Sequence, residues 1–296
     1  MEYHQLRYFV AVADAGNFSR AAAACNVAQP SLSQQIIKLE KELGTPLFDR
    51  LGRRIALTDA ARALLPRART ALAALEDAKN ALSDDPALSD GKLRIGAIPT
   101  IAPYLLPPAI HAFKTKLPNV QLEFLEDVTD NLIEQLITAE LDLAIMSGPI
   151  DEPQLRIETL ADEPLDLAAP AGHPLAKRTK LAIENLNDQP VIVLHEMHCL
   201  QGQVDAICRS RHVQPRITCR TAQLHTVLEL VARNVGLSLI PRMCSLNHHD
   251  PRWTSKPFTV NTPTRPITAA ANASRIRSPL AEAFLGAVRT ELQRNN

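Results

Sequence analysis

The sequence has no net charge. Its 32 Lys and Arg are matched by 32 Asp and Glu, so no global field announces nucleic acid, and such a role rests on where charges sit. It has no apolar run near the length of a membrane span, and the opening residues MEYHQLRY lack the layout of a signal peptide. A cytoplasmic chain with no membrane partner is expected. There is no CxxC pair and no Cys/His cluster to suggest a metal. Five cysteines, an odd number for a cytosolic chain, argue against a structural disulfide framework. P-loop, GxSxG, HExxH and dinucleotide fingerprints are all missing, so neither an enzyme nor a cofactor is expected. With 46% hydrophobic and 22% charged residues over 296 positions, disorder is excluded and two or three domains, each with its own core, can be built.

The stretch NFSRAAAACNVAQPSLSQQIIKLEKE, from Asn17 to Glu42, organises the rest. It predicts two short helices joined by a turn at Asn26–Ala28, with Val27 plugging the corner. Ser19 is the expected cap of the first helix, and Ala21 to Ala24 let the second approach closely. Pro30 suits a first helical turn, where its missing N–H costs nothing. Leu32, Ile36, Leu39 and Leu43 form the apolar stripe. Gln29, Ser31, Ser33, Gln34, Gln35 and Lys38 face outward, with almost no acid over two turns. Amides and hydroxyls there can read base edges and the lysine can meet phosphate, with Ser33 and Gln34 nearest the bases.

Before this pair, Leu6, Phe9, Val10 and Ala13 predict an apolar helix face ending near Gly16. After it, LFDRLGRRIALT predicts a hairpin turning at Leu51–Gly52, between Phe48 and the pair Ile55 and Leu57. Arg50, Arg53 and Arg54 cluster at its tip, suited to phosphate or the minor groove. Residues 1–58 hold seven bases against five acids, so placement matters more than the total. Thr58 should cap a long helix with Asp59 in its first turn. Leu64, Ala68, Ala71, Leu75, Ala78 and Leu82 make a heptad seam whose natural partner is the same helix of a second subunit. Pro66 is a candidate kink. SDDPALSDG, Ser83–Gly91, reads as a hinge.

Beyond the hinge, strand and helix alternate. Strands are predicted at 93–99, 120–127, 141–148 and 190–194, and helices at 101–116, 131–139, 200–211 and 225–234. PLDLAAP, TCRTA, LSLIP and RPITAAA give further strands, and Pro279–Gln293 a terminal helix. This rhythm predicts parallel sheet covered on both faces, in two α/β lobes with a ligand cleft between them.

The run LRYFVAVADAGNFSRAAAACNVAQPSLSQQIIKLEKELGTPLFDR, followed by ALT, resembles the LysR-type transcriptional regulators. The resemblance covers the whole chain. It implies an α+β multidomain fold: a winged helix-turn-helix over 1–58, a linker and dimerisation helix with hinge over 59–90, and a two-lobed, periplasmic-binding-protein-like effector domain over 91–296. Lobe I would hold about 92–162 plus 267–296, and lobe II about 163–266. The family further implies a homo-oligomer, a dimer of dimers, on long promoter DNA, usually as an activator, with RNA polymerase as a further partner.

The segment MHCLQGQVDAIC, Met197–Cys208, is similar to the OxyR-like hydrogen-peroxide-sensing branch of that family. That likeness implies Cys199 as the thiol oxidised by peroxide and Cys208 as the one that closes a disulfide. It maps the polar pocket to Thr100, Thr129, His198, Gln203 and Arg265. Peroxide attacks a thiolate, and the positive end of the helix near Leu200 with Arg265 is expected to favour one. Thr100 and Thr129 can hold the two peroxide oxygens. Nine residues apart, the two cysteines lie about 13 Å apart on opposite faces of a helix, whereas a disulfide needs Cα atoms within about 7 Å. Oxidation must therefore unwind the segment, a bistable element able to rotate one dimer against another. Where the branch has Gly before the histidine this chain has Met197. Where it has Arg-Asp after the leucine, Gln201 and Gly202 stand, and Gly202 weakens the helix. Cys25, Cys219 and Cys244 read as packing residues. The rival reading keeps the family but makes Cys199 inert, with Thr100 serving an anionic or aromatic metabolite in the cleft. An enzyme with an appended DNA-binding domain and a periplasmic solute-binding protein fit less well.

Overall fold

A computed structural model describes residues 1–51, 54–81, 91–246 and 250–295. It divides into two units, one mainly of residues 1–86 and one of residues 87–136, 141–273 and 279–296.

The first unit opens with α1 (Tyr3–Ala15), α2 (Phe18–Ala24) and α3 (Gln29–Leu43). Gly16 and Gly44 end α1 and α3 in the left-handed region, at φ 59° and 70°, a conformation that costs glycine little. The cap of α2 is Asn17 and not Ser19: its side chain accepts from the N–H groups of Ser19 and Arg20. Asn stands one residue before the helix, where the side-chain oxygen can curl back, whereas Ser19 already lies within it. Leu6, Phe9, Val12, Ala21, Ala22, Leu32, Ile36 and Leu39 form the core, with Val10 and Val27 packed against it. Leu43 departs from the expected stripe. It lies at the helix end, past the last turn that the core covers, and is 38% exposed.

The hairpin is β1 (Phe48–Leu51) and β2 (Arg54–Leu57), antiparallel with Phe48 opposite Leu57. The Phe48 ring lies 5.6 Å from those of both Phe9 and Phe18. Glu40 of α3 accepts from the main-chain N–H of Leu47 at 2.7 Å and of Phe48 at 3.3 Å. Arg53 and the turn residue Gly52 lie outside the described residues, as do the side chains of Arg50 and Arg54.

Thr58 accepts from the Ala61 N–H at 3.1 Å and starts α4 (Asp59–Ala81), which runs through Pro66 without interruption. The first part of the predicted seam packs elsewhere. Ala68 is buried in the unit's own core with Leu64 against it, because α4 packs across α1. From Ala71 the seam is free: Ala71 and Ala78 are exposed and Leu75 is 46% exposed. Leu82 and nearly all of the hinge stretch lie outside the described residues.

The second unit holds β3 (Lys92–Ala97), α5 (Ala102–Lys116), β4 (Gln121–Glu126), α6 (Thr129–Ile137), β5 (Leu143–Ser147) and β6 (Leu155–Pro170). It continues with β7 (Pro190–Leu194), α7 (Cys199–Ser210), β8 (Arg216–Thr221), α8 (Leu224–Ala232) and β9 (Ser238–Pro241). It ends with α9 (Met243–Leu246), β10 (Trp253–Pro257), β11 (Thr264–Asn272) and α10 (Pro279–Asn295). The expected parallel pairing holds for β3 with β4 and β5, and for β7 with β8. The rest of the sheet is not parallel: β11 runs against both β5 and β6, and β9 and β10 run against β6. A short apolar run reads alike in either direction, so strand sense is not carried by the run itself.

Two lobes result, and β6 belongs to both. Its residues 155–164 pair with β11, and its residues 165–170 with β9 and β10. Sequence periodicity missed β10 and the front half of β6, where apolar and charged residues mix without a clean alternation. Among the described residues, no helix is long and apolar enough to cross a membrane.

Candidate functional site

On α3 the outward residues are Gln29, Pro30, Ser31, Gln34 and Lys38, all exposed, with Ser33 half-buried. Gln35 is drawn inward, half-buried and within hydrogen-bond reach of Gln5 at 3.4 Å. Ile37, 48% exposed, shares this surface and was passed over as apolar; a thymine methyl is the groove feature such a side chain fits. Two bases of the charge count are bonded to main-chain carbonyls. Arg7 donates to the Cys25 carbonyl at 3.1 Å, and Arg20 donates to that of Ala15.

The second cluster lies where the lobes meet. Thr100 follows β3, Thr129 opens α6, Arg265 begins β11, and His198 and Cys199 begin α7. Arg265 faces Glu163 in the β6–β11 register and is 0% exposed. Its Nε donates to Glu163 Oε2 at 2.8 Å, its Nη1 to Thr100 Oγ1 at 2.7 Å and its Nη2 to the Thr100 carbonyl at 3.0 Å. Glu163 in turn accepts from the Met243 N–H at 2.9 Å. This cation is tightly held, and the hydroxyl oxygen of Thr100 already accepts from it.

Gln203, one turn beyond Cys199 on α7, crosses between lobes. Its amide donates to Ser147 Oγ at 2.8 Å and to the Gly148 carbonyl, and Ser147 donates to the Pro266 carbonyl at 2.8 Å. Sequence reasoning missed both Glu163 and Ser147. A hydroxyl ending the apolar run LDLAIMSG, at the carboxyl edge of a parallel strand, was the available signal for Ser147. Nothing in spacing links Glu163 to Arg265.

Cys199 is half-buried and Cys208 buried, both as free thiols in α7. Burial pushes the Cys199 thiol above its ordinary range, while Arg265, the Thr129 hydroxyl and the Leu200 N–H pull it back. Burial is the largest of these influences, so the net direction is upward, opposite to the expected bias towards thiolate. Desolvation of a small anion weighs more here than the shared cation and the hydrogen bonds that oppose it. The rate of Cys199 oxidation by peroxide is therefore expected to climb by about tenfold per pH unit between about pH 6 and 8, followed by rapid-quench mass mapping. A flat profile over that range would mean that the thiolate already dominates.

His198 is buried, and burial lowers its pKa, against the Ala222 carbonyl, which raises it. Its Nε2 is buried and has no hydrogen-bond partner. Burial and Asp205 push Cys208 up as well. Of the other cysteines, Cys25 and Cys244 are buried, and Cys219 is only half-buried on β8. Cys244 bonds the Tyr104 hydroxyl, and burial drives its thiol far up, in keeping with a packing residue. No group of three or more His, Cys, Asp or Glu residues that could hold a metal occurs among the described residues.

Residues 3–62 match the family of bacterial regulatory helix-turn-helix proteins of the lysR type, and residues 86–293 match the LysR substrate binding domain. A hydrogen peroxide-inducible genes activator of Haemophilus influenzae is 36% identical over 248 residues, covering 83% of this chain and 82% of that protein. Full-length OxyR of Pseudomonas aeruginosa, solved as a cysteine-to-aspartate variant, superposes with a TM-score of 0.85 at 30% identity, over 98% of both chains. A cysteine-to-serine variant of OxyR from Corynebacterium glutamicum with hydrogen peroxide bound gives a TM-score of 0.67 at 30% identity, over 99% of this chain and 95% of that one. The chain belongs to the LysR family of DNA-binding transcription regulators, within the branch of the hydrogen peroxide-inducible genes activators.

Proposed function

We propose that this protein is a peroxide-responsive transcription regulator, an activator, switched by reversible formation of a Cys199–Cys208 disulfide. One observation carries the reading. His198 Nε2 and Gln203 Oε1 are buried atoms without a hydrogen-bond partner, and Thr129 Oγ1 is buried with the Cys199 thiol as its neighbour; His198 precedes Cys199 and Gln203 lies one turn along α7. Unpartnered buried polar atoms are costly, and a small molecule with two oxygens and two hydrogens answers such a set. Thr129 and His198 orient peroxide at the sulfur, with Thr100 behind them on Arg265. Cys199 attacks one peroxide oxygen. The O–O bond breaks, the sulfur becomes a sulfenic acid, and the thiol proton leaves with the second oxygen as water. Cys208 then attacks that sulfur. The S–S bond forms, the S–O bond breaks, and a second water departs.

The metabolite reading is disfavoured by Arg265. Its Nε, Nη1 and Nη2 each donate to Glu163 or Thr100, its charge is already paired with the Glu163 carboxylate, and it has no exposed surface, so it is a poor seat for a second anion. Mass mapping of all five thiols before and after one equivalent of peroxide, beside a promoter footprint, tests the proposal. Cys199–Cys208 closure with a shifted footprint is expected. Unmodified Cys199 with a normal response would end it.

On the DNA side, the polar α3 surface supports promoter binding through Gln29, Pro30, Ser31, Ser33, Gln34 and Lys38, with Arg50, Arg53 and Arg54 on the wing. The exposed seam from Ala71 to Ala78 supports pairing of α4 between subunits, leading to a dimer of dimers, with RNA polymerase as the further partner. The protein acts in the cytoplasm and is a regulator, not an enzyme. Gln34→Ala is expected to cost about 1–3 kcal/mol of discrimination at one base position. Titration against sites altered one base at a time reads it out, and an equal loss on every site would instead assign Gln34 to phosphate.

A further inference from the structure

α7 is weakest at its first turn. Its cap residue His198 makes no capping side-chain bond to the helix, and no acidic residue stands in that turn. The Gln201 N–H bonds the His198 carbonyl three residues back, at 3.0 Å, the tighter and poorer helical pairing. Gln201 is a polar side chain on the buried face, bonded only one turn along to Asp205 at 2.7 Å. Beneath it, a small cavity lies between α7 and the sheet, lined by Ile192, Leu200, Gln201, Val204, Leu224 and Leu239.

Gly202 follows directly. It is exposed, and an added Cβ would meet nothing within 4 Å. Neither space nor a left-handed backbone calls for glycine here, yet glycine weakens a helix. Past Gly202 the helix is anchored. Gln203 grips Ser147 and Gly148, Val204 and Cys208 are buried, and the Arg211 and Val213 N–H groups close on the Cys208 carbonyl.

We propose that α7 gives way at Gly202 on oxidation, so that this residue sets the rate of disulfide closure separately from the rate of sulfenic acid formation. The inference rests on the peroxide reading above. The reach suffices: residues 199–203, once extended, span up to about 14 Å, while the helix from Gln203 to Cys208 rises only about 7.5 Å. Opening one turn therefore lets the Cys199 sulfenic acid swing back to Cys208. There the Cys208 thiol displaces the sulfenic oxygen, which leaves as water with the thiol proton.

The test mixes reduced full-length protein with hydrogen peroxide, quenches at intervals and maps sulfenic acid and disulfide by mass. Gly202→Ala is expected to close roughly two- to fivefold more slowly, with the first oxidation unchanged. Amide exchange over residues 200–205 of the reduced variant should slow by a similar factor. Gly286→Ala, an exposed helical glycine of α10 with equally open surroundings, should behave as wild type in both steps. Closure in Gly202→Ala as fast as in wild type, or an equal slowing of both steps, would overturn the inference while leaving the peroxide reading intact. A wild-type protein that forms no sulfenic acid on Cys199 would overturn both.

Discussion

Arg265→Met is expected to destabilise the effector domain by about 3–5 kcal/mol, the cost of leaving a buried charge without its partner. Glu163 would keep only the Met243 N–H, and Thr100 would lose both of its contacts to the guanidinium. Adding Glu163→Gln should recover much of the loss, because the stranded charge goes with it. Urea unfolding of the full chain and both variants reads this out. A single-variant cost below about 1 kcal/mol would mean that water reaches the pair and that its enclosure is not what holds the lobes' crossing strands together.

Cys199→Ser should abolish the response to peroxide, measured as a peroxide-dependent change in footprint or transcript. Cys208→Ser should do something different. Oxidation would proceed and stop with one oxygen on Cys199, and the protease-accessibility change that accompanies opening of α7 would fail to appear. The difference between the variants separates oxidation from refolding. An oxidised wild-type structure with a Cys199–Cys208 bond and α7 intact would refute the coupling, since a helix holds those residues about 13 Å apart.

Much of this was legible in the residues. Leu32, Ile36 and Leu39 announced α3, Thr58 announced α4, and each buried run from Leu93 to Ile240 became a strand. The failures share a cause: each depended on what lay across space. Ser19 and Asn17 are both good caps, and only the start of the helix chooses between them. Leu64 and Ala68 fit a coiled coil and a domain core equally well, and the core reached them first. The direction of β11 is decided by its neighbours. At the thiols, MHCLQGQVDAIC drew attention to the right segment, but the sign of the Cys199 shift depends on the depth of burial, which a linear pattern does not carry. Glu163 shows the same limit, since 102 residues separate it from the arginine it holds.

Glu40 of α3 holds the start of the hairpin by accepting from two main-chain N–H groups, those of Leu47 and Phe48. Reading helix and wing are thereby fixed as a caliper, gauged before any duplex is met. Whatever misfit remains must be taken up by bending in the nucleic acid. Flanking steps too stiff to bend would then be rejected at positions that no side chain touches.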